Sequence, residues 1–323
     1  MKRREFIGLV GGAVAWPLTA SAQRDEGKLV TIGILAIEPW PSIDAFRHAL
    51  DALGYIEGKN VRFVYRYAKG HNERLPELAN ELVGLNVDVI FTWRTDAVLA
   101  AKQATATIPI VMGVIGDPVR SGIVTNLARP GGNITGCSLR VAELEAKRLQ
   151  LLKEVVPGLS RVAILLNPTN RYMPLALEST QKGAQVLHVS LAVYKVHDTT
   201  TLDAAFVTLT KDRPNAFLVP ADTFLVSQRS RIAQFAIENK LPSVYTYREH
   251  IEAGGLLAYT PNYDDLFRQA ANYVDKILKG TKPGELPIER PTKFHLLINL
   301  KTARTLGLTL PRGLLARADK LIE

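Results

Sequence analysis

The feature that most restricts the fold of this chain is an alternation of short apolar, β-branched runs with longer amphipathic stretches. LVTIGILAI (29–37), VRFVYRY (61–67), VDVIFTW (87–93), IPIVMGV (108–114) and RVAILLN (161–167) read as strands. So do NAFLVP (215–220), PSVYTY (242–247), GLLAYT (255–260) and FHLLIN (294–299). Several are apolar almost throughout, as parallel strands covered on both faces are. Between them, Ser42 is placed to cap a helix that buries Ile43, Phe46, Leu50 and Leu53 and stops at Gly54. A second helix runs over 141–156, ahead of Pro157-Gly158. A third carries Leu266, Ala270, Tyr273, Val274 and Ile277 on one stripe and ends near Gly280. Strand–helix alternation of this kind predicts an α/β, doubly wound architecture.

The pattern also repeats. VDVIFTW is followed by a helix and then IPIVMGV; PNAFLVPA is followed by a helix and then LPSVYTY. An acid or amide opens the first strand of each copy, Asp88 or Asn215, and Ile108-Pro109 or Leu241-Pro242 opens the second. Two similar Rossmann-like lobes are the expected arrangement.

The opening MKRREFIGLVGGAVAWPLTASAQ lies outside this pattern. As a helix it is poor, because Gly8, Gly11 and Gly12 each cost about 1 kcal/mol relative to alanine and Pro17 breaks what remains. As an export signal every part has a use. Lys2, Arg3 and Arg4 form a positive region, Phe6 to Leu18 a short apolar run, and Ala20-Ser21-Ala22 a small-residue cleavage site. Residues 1–22 therefore read as a signal peptide. Arg3-Arg4-Glu5-Phe6-Ile7 is twin-arginine-like, with Lys2 where that motif usually has Ser or Thr. The apolar run falls short of the roughly 20 residues of a membrane span, and no cysteine follows it to carry a lipid. A soluble periplasmic protein, without membrane insertion of the mature chain, is expected.

The rest of the composition bounds the function. Cys137 is the one cysteine, so there is no disulfide framework. The net charge of +9 drops to +7 once the leader's three bases and one acid are removed. The bases are scattered singly, which argues against a nucleic-acid surface. There is no G-x-S-x-G elbow, no phosphate-binding lysine loop and no G-x-G-x-x-G. The histidines at 48, 71, 188, 197, 250 and 295 have no metal-ligand spacing. Cys137 reads either as a nucleophile paired with a distant histidine or as a small buried residue on a strand. No catalytic residue, metal or cofactor is assigned. The chain reads as a binding protein, with an exported hydrolase as the enzyme alternative.

In open α/β sheets ligands bind beyond the carboxyl ends of the strands. Those positions hold Glu38-Pro39-Trp40-Pro41-Ser42, Thr92-Trp93-Arg94-Thr95-Asp96 and Gly116-Asp117-Pro118 in the first half. The second half has Asn167-Pro168, Ala221-Asp222-Thr223, Tyr245-Thr246-Tyr247 and, later, Tyr259-Thr260. This inventory suits a small zwitterion. Its carboxylate can meet the helix start at Thr95, with Arg94 as a clamp. An ammonium can pair with Asp117 or Asp222, and Trp40, Tyr245 or Tyr259 can enclose an apolar part. Each has a plainer reading. Thr95 and Asp222 can be helix caps, Asp117-Pro118 and Asn167-Pro168 turns, Trp40 a loop cover and Arg94 a solvated surface residue.

IPIVMGVIGDPVRSGIVTNLARPGGNITG (108–136), AGGLLAYTPNY (253–263) and PTKFHLLINLKTARTLGLTLP (291–311) closely resemble segments of ABC-transporter substrate-binding proteins of the TrpX/TrpY-like group. The similarity runs over nearly the whole mature chain. It implies a type I periplasmic-binding-protein fold: two lobes joined by three crossings that close on a small molecule without ATP. Some members of that group are associated with tryptophan or tyrosine. By position, the family's cleft segments correspond here to Pro39–Ser42, Thr92–Asp96, Gly116-Asp117, Cys137-Ser138, Asn167, Asp222 and Tyr245. Among these, Ser42, Thr92 and Ser138 join the candidate ligand contacts through the resemblance. Trp93-Arg94-Thr95-Asp96 departs from the small residues usual there, so a bulky cation can narrow the pocket or change its charge preference. The expected lobes are 28–139 plus 259–290 and 140–258 plus 291–323. The expected chain is a monomer that captures an amino-acid-like solute and passes it to a cognate permease and ATPase. A receptor reporting to a membrane sensor is the alternative within the binding class.

Overall fold

A computed structural model describes residues 29–139 and 141–323. The expected signal peptide, 1–22, lies outside the described residues. The first sheet contains β1 (Val30–Ala36), β2 (Val61–Tyr67), β3 (Val89–Thr92), β4 (Ile110–Met112) and β5 (Ile134–Gly136). All pair in parallel, in the order β2-β1-β3-β4-β5. The second contains β6 (Arg161–Leu166), β7 (Ser190–Lys195), β8 (Ala216–Val219), β9 (Ser243–Tyr245) and β10 (Leu257–Pro261), followed by β11 (Phe294–Asn299) and β12 (Lys320–Ile322). Its order is β12-β11-β10-β9-β8-β6-β7, with β10 and β11 antiparallel.

The helices of the first half are α1 (Ile43–Ala52), α2 (Leu75–Gly84) and α3 (Thr95–Ala104). Then come α4 (Val141–Val155), α5 (Met173–Leu187), α6 (Thr199–Asp212), α7 (Thr223–Ser227), α8 (Arg229–Glu238) and α9 (Arg248–Glu252). The last are α10 (Tyr263–Leu278), α11 (Leu300–Thr305) and α12 (Arg312–Ala316). Alternate residues of each strand feed opposite faces. Ile32, Ile34, Phe91 and Val111 join the cluster that holds Phe46 of α1 and Phe267 of α10. Leu35, Ile90, Ile110 and Met112 join the one that holds Leu78 of α2 and Val98 of α3.

The repeat seen in the sequence is a repeat of topology: β7-β6-β8-β9-β10 reproduces β2-β1-β3-β4-β5. The paired signals do the same work in each lobe. Asp88 Oδ2 accepts from the Thr31 N–H at 2.8 Å, and Asn215 Oδ1 accepts from the Arg161 N–H at 2.9 Å. Each thereby fixes the start of its lobe's first strand, β1 or β6. The prolines match as well: the Pro109 carbonyl accepts from the Ile90 N–H at 2.8 Å, and the Pro242 carbonyl from the Phe217 N–H at 2.9 Å.

After its fifth strand each half sends a helix to the other lobe. Helix α4 follows β5 yet contacts α5, where Gly183 admits Ala146 at a distance of 3.0 Å from an ideal Cβ. Helix α10 follows β10 yet contacts α1, β4 and β5. Because β10 is paired to β9 and β11, Tyr259 and Thr260 belong to the second sheet. The chain therefore leaves that sheet after Pro261. A third crossing runs beside the first: the Glu289 carbonyl accepts from the Ser138 N–H at 2.8 Å, and the Gly136 carbonyl accepts from the Glu289 N–H at 3.0 Å.

Ser42 occupies the expected position before α1 but makes no side-chain capping bond, because its backbone is already helical at φ −65° and ψ −6°. The helix ends as read, with Gly54 at φ +90° and the Tyr55 N–H returning to the Leu50 carbonyl at 2.9 Å.

Candidate functional site

Between the lobes lies a cavity of about 600 Å³. The strand order reverses between β1 and β3 in the first sheet and between β6 and β8 in the second, leaving a crevice at their carboxyl ends. The wall is made from those ends. Ile37 to Pro41 follow β1, Arg94 to Asp96 follow β3, Asn167, Thr169 and Asn170 follow β6, and Ala221 to Phe224 follow β8. Tyr172, His197, Arg229, Tyr247 and Glu249 are also on the second lobe's side.

On the first lobe the wall centres on Arg94. Its backbone has φ +70° and ψ 148°, a conformation rarely adopted by a residue with a side chain, and it opens α3. The Val114 carbonyl holds its N–H at 2.8 Å. The guanidinium lies over the Trp40 ring at 4.6 Å and the Tyr247 ring at 5.6 Å. Trp40 is in turn packed against Tyr247, with centroids 5.5 Å apart, and Tyr263, at 5.0 Å. Trp93 points away from the cavity, buried against Phe91 and Phe267.

On the second lobe the wall centres on Asp222. Its Oδ1 caps α7 by accepting from the Leu225 N–H at 2.9 Å. Its Oδ2 accepts from the amides of Asn167 at 3.1 Å and Asn170 at 2.8 Å. Asn167 cannot turn its amide without loss, because its own Oδ1 accepts from the Thr169 N–H and hydroxyl. Cap and wall residue are thus one side chain. Behind Tyr172, its hydroxyl donates to Glu145 Oε1 at 3.1 Å. The same oxygen takes Arg148 Nη1 at 2.6 Å, and Arg148 Nε donates to the Tyr259 carbonyl at 2.9 Å.

The lobes touch across the cleft. Arg94 Nη1 donates to the Tyr247 hydroxyl at 3.1 Å, Arg171 lies 3.4 Å from Asp96, and Arg120 donates to Glu178 at 2.7 Å. Burial holds the Asp96 carboxyl above the usual range; Arg171 opposes the shift and Asp222, a like charge on the other lobe, adds to it. Burial likewise raises Tyr247 and Glu249.

Of the sequence candidates, Trp40, Arg94, Thr95, Asn167 and Asp222 line the cavity. Six others are elsewhere. Ser42 and Thr92 are buried at the start of α1 and the end of β3. Asp117 caps a turn, Oδ1 accepting from the Val119 and Arg120 N–H groups at 3.0 Å each, while Gly116 beside it reaches the wall. Ser138 is fixed in the crossing. Tyr245 is fully buried against His250, at a centroid distance of 4.6 Å, and Tyr259 stacks on Phe294. Among wall residues not singled out as contacts, Asn170, Tyr172 and Glu249 stand a few positions past their strands, whereas Tyr247 lies at a strand end, next but one to the Tyr245 chosen there. Cys137 is fully buried, its Sγ facing the Leu266 carbonyl at 3.6 Å, and burial drives its thiol pKa up. That is the reverse of what a nucleophile needs. Among the described residues no three potential metal ligands cluster, and no helix is long and apolar enough to cross a membrane.

Comparison with known proteins agrees with this architecture. The chain is 26% identical over 288 residues to a tyrosine-binding protein of Clostridioides difficile (strain R20291), covering 88% of this chain and 83% of that one. Its fold is similar to that of a conserved domain protein from Vibrio cholerae, with a TM-score of 0.85 and 28% identity over 91% of this chain and 100% of that one. An ABC domain from Streptococcus pneumonia in complex with L-Trp has a TM-score of 0.83 at 24% identity, over 91% and 100% of the two chains. These structures share the type I periplasmic-binding-protein fold with further solute-binding neighbours, including a 5-methylthioribose transporter solute binding protein from Thermotoga lettingae. The sequence profile described as ABC transporter substrate binding protein matches residues 33–322, both lobes and all three crossings, and the chain belongs to that family.

Proposed function

We propose that this protein is the exported solute receptor of an ABC importer, and that it holds a small amino-acid-like zwitterion between its lobes. The observation that carries this reading is the pairing of Arg94 on one lobe with Asp222 on the other around a cavity of about 600 Å³. A ligand carboxylate is received by Arg94 and the first N–H groups of α3, where charge and helix dipole act together. The ligand ammonium is received by Asp222, whose carboxylate is held in place by its own cap and by two amides. Engaging both groups at once requires both lobes, so the ligand stabilises the closed form over the open one by its differential affinity. Export, delivery to a permease with its ATPase, and a monomeric state complete the proposal; the family supports the transporter context. The relatives that bind tyrosine and L-Trp support an amino-acid ligand.

The test is a thermal-shift screen of the purified protein against amino acids, small carboxylates and sugars. A ligand at 100 times its Kd adds about 2.7 kcal/mol to stability and raises the melting temperature. Amino acids are expected to do so. A screen in which only sugars, or nothing, shift the transition overturns the proposal.

A further inference from the structure

We infer that Glu249 selects the charge of the ligand, so that the preferred solute carries a cationic group in addition to its α-ammonium. This rests on the amino-acid reading above and narrows it.

The wall of the cavity carries four carboxylates, Glu38, Asp96, Asp222 and Glu249, against two guanidiniums, Arg94 and Arg229. A neutral zwitterion that places its carboxylate on Arg94 and its ammonium on Asp222 leaves that imbalance unchanged. Two of the acids have local support: Asp96 has Arg171 at 3.4 Å and Asn72 at 3.3 Å, and Asp222 has its three donors. Glu249 is different. It lines the cavity from the start of α9, and its Oε2 is closed off from solvent without a hydrogen-bond partner. An ionised oxygen in that state is costly until a donor or a cation reaches it.

The guanidinium nearest in kind does not supply that partner. Arg94 makes no hydrogen bond to that oxygen; it donates to the Tyr247 hydroxyl and lies over the Trp40 and Tyr247 rings. Arg248, next in sequence, is exposed and paired with Glu252 at 3.0 Å. Burial raises the Glu249 carboxyl; its own backbone N–H, Arg248 and Arg94 oppose the shift without cancelling it. The same arrangement limits a neutral aromatic side chain, since Arg94, Tyr247 and Tyr263 already surround Trp40, which is 7% exposed. A flexible chain ending in an ammonium or guanidinium meets the wall better: it supplies the missing charge and needs no open aromatic face.

The experiment compares near-isosteric ligands that differ in side-chain charge. Calorimetric titration of the full chain with L-arginine and L-citrulline, and with L-lysine and L-norleucine, reads the preference directly. The cationic member of each pair is expected to bind at least about tenfold more tightly. Glu249→Gln is expected to bring each pair within about twofold, mainly by weakening the cationic ligand, and Glu249→Asp to restore part of the difference. Melting curves of the ligand-free variants establish that they fold. Equal binding of charged and neutral ligands by the unaltered protein overturns the inference and leaves the amino-acid reading intact. A preference that survives Glu249→Gln removes Glu249 as its source. Failure of every amino acid to bind overturns both readings.

Discussion

The Arg94 guanidinium on the first lobe and the Tyr247 hydroxyl on the second meet at 3.1 Å, and the Trp40 ring contacts both partners. One cation therefore serves two purposes: it faces the cavity and it joins the lobes. Tyr247→Phe keeps the ring and removes only the acceptor. It is expected to weaken binding of the best ligand by roughly 1.5–3 kcal/mol, the range for a hydrogen bond to a charged group. The comparison is made by calorimetric titration. A double-mutant cycle with Arg94→Ala should give a coupling within about 0.5–3 kcal/mol; additive effects would mean the contact contributes nothing to closure.

Asp222→Asn distinguishes a simple cap from a charged wall residue. Asparagine caps helices about as well as aspartate, so a cap alone predicts a change of a few tenths of a kcal/mol. Here the new amide faces the amides of Asn167 and Asn170, donor against donor. The variant is expected to lose about 1–3 kcal/mol in urea unfolding, and to lose affinity for ligands that carry an ammonium.

Glu145 and Arg148 form a buried ion pair, 0% and 1% exposed at their side chains, at 2.6 Å. Removing one member leaves the other as an uncompensated charge, so Glu145→Gln should cost about 3–5 kcal/mol. The double replacement Glu145→Met with Arg148→Met should cost less than the single one. Urea denaturation of the three proteins checks the order, and a milder single variant would contradict it.

The strands, the two-lobe repeat and the α1, α4 and α10 helices are legible in the sequence because each rests on a local period or a local stop. β5 and β7 are not. β5 is three residues long and ends at Gly136 with φ +132°, where a Cβ would meet the Met112 carbonyl oxygen at 2.2 Å. β7 is an edge strand with no continuous apolar run, and Val193 is left exposed. At the site, position beyond a strand end finds Trp40, Arg94, Thr95, Asn167 and Asp222, since chain direction alone sets which sheet edge faces the cleft. It does not find which of two nearby tyrosines turns inward. Tyr245 still belongs to β9 and is spent on its core face, whereas Tyr247 has left the strand and is free to reach Trp40.

His250 makes a stability prediction with a definite sign. It lies within the second lobe, stacked on Tyr245, and burial lowers its pKa to about 3 from 6.5. The folded protein keeps the ring neutral while the unfolded chain takes up a proton below pH 6.5. Its contribution is therefore complete above pH 6.5 and is lost as pH falls toward 3, by up to about 1.4 kcal/mol per pH unit. His250→Phe retains the stacking and removes this dependence. Urea unfolding of both proteins between about pH 7 and pH 4 should show their free energies diverging at the acid end; parallel curves would refute it.

The exchange of α4 and α10 has a consequence for the chain while it is being synthesised. When the first five strands have left the ribosome, Phe46, Phe91 and Trp93 still await Phe267, which arrives only after β6 to β10 of the other half have been made. The earliest segment must keep an apolar sheet face uncovered for most of translation, so a chaperone has its target there. Each half, cut at its crossing, would lack the helix that the other half supplies to it.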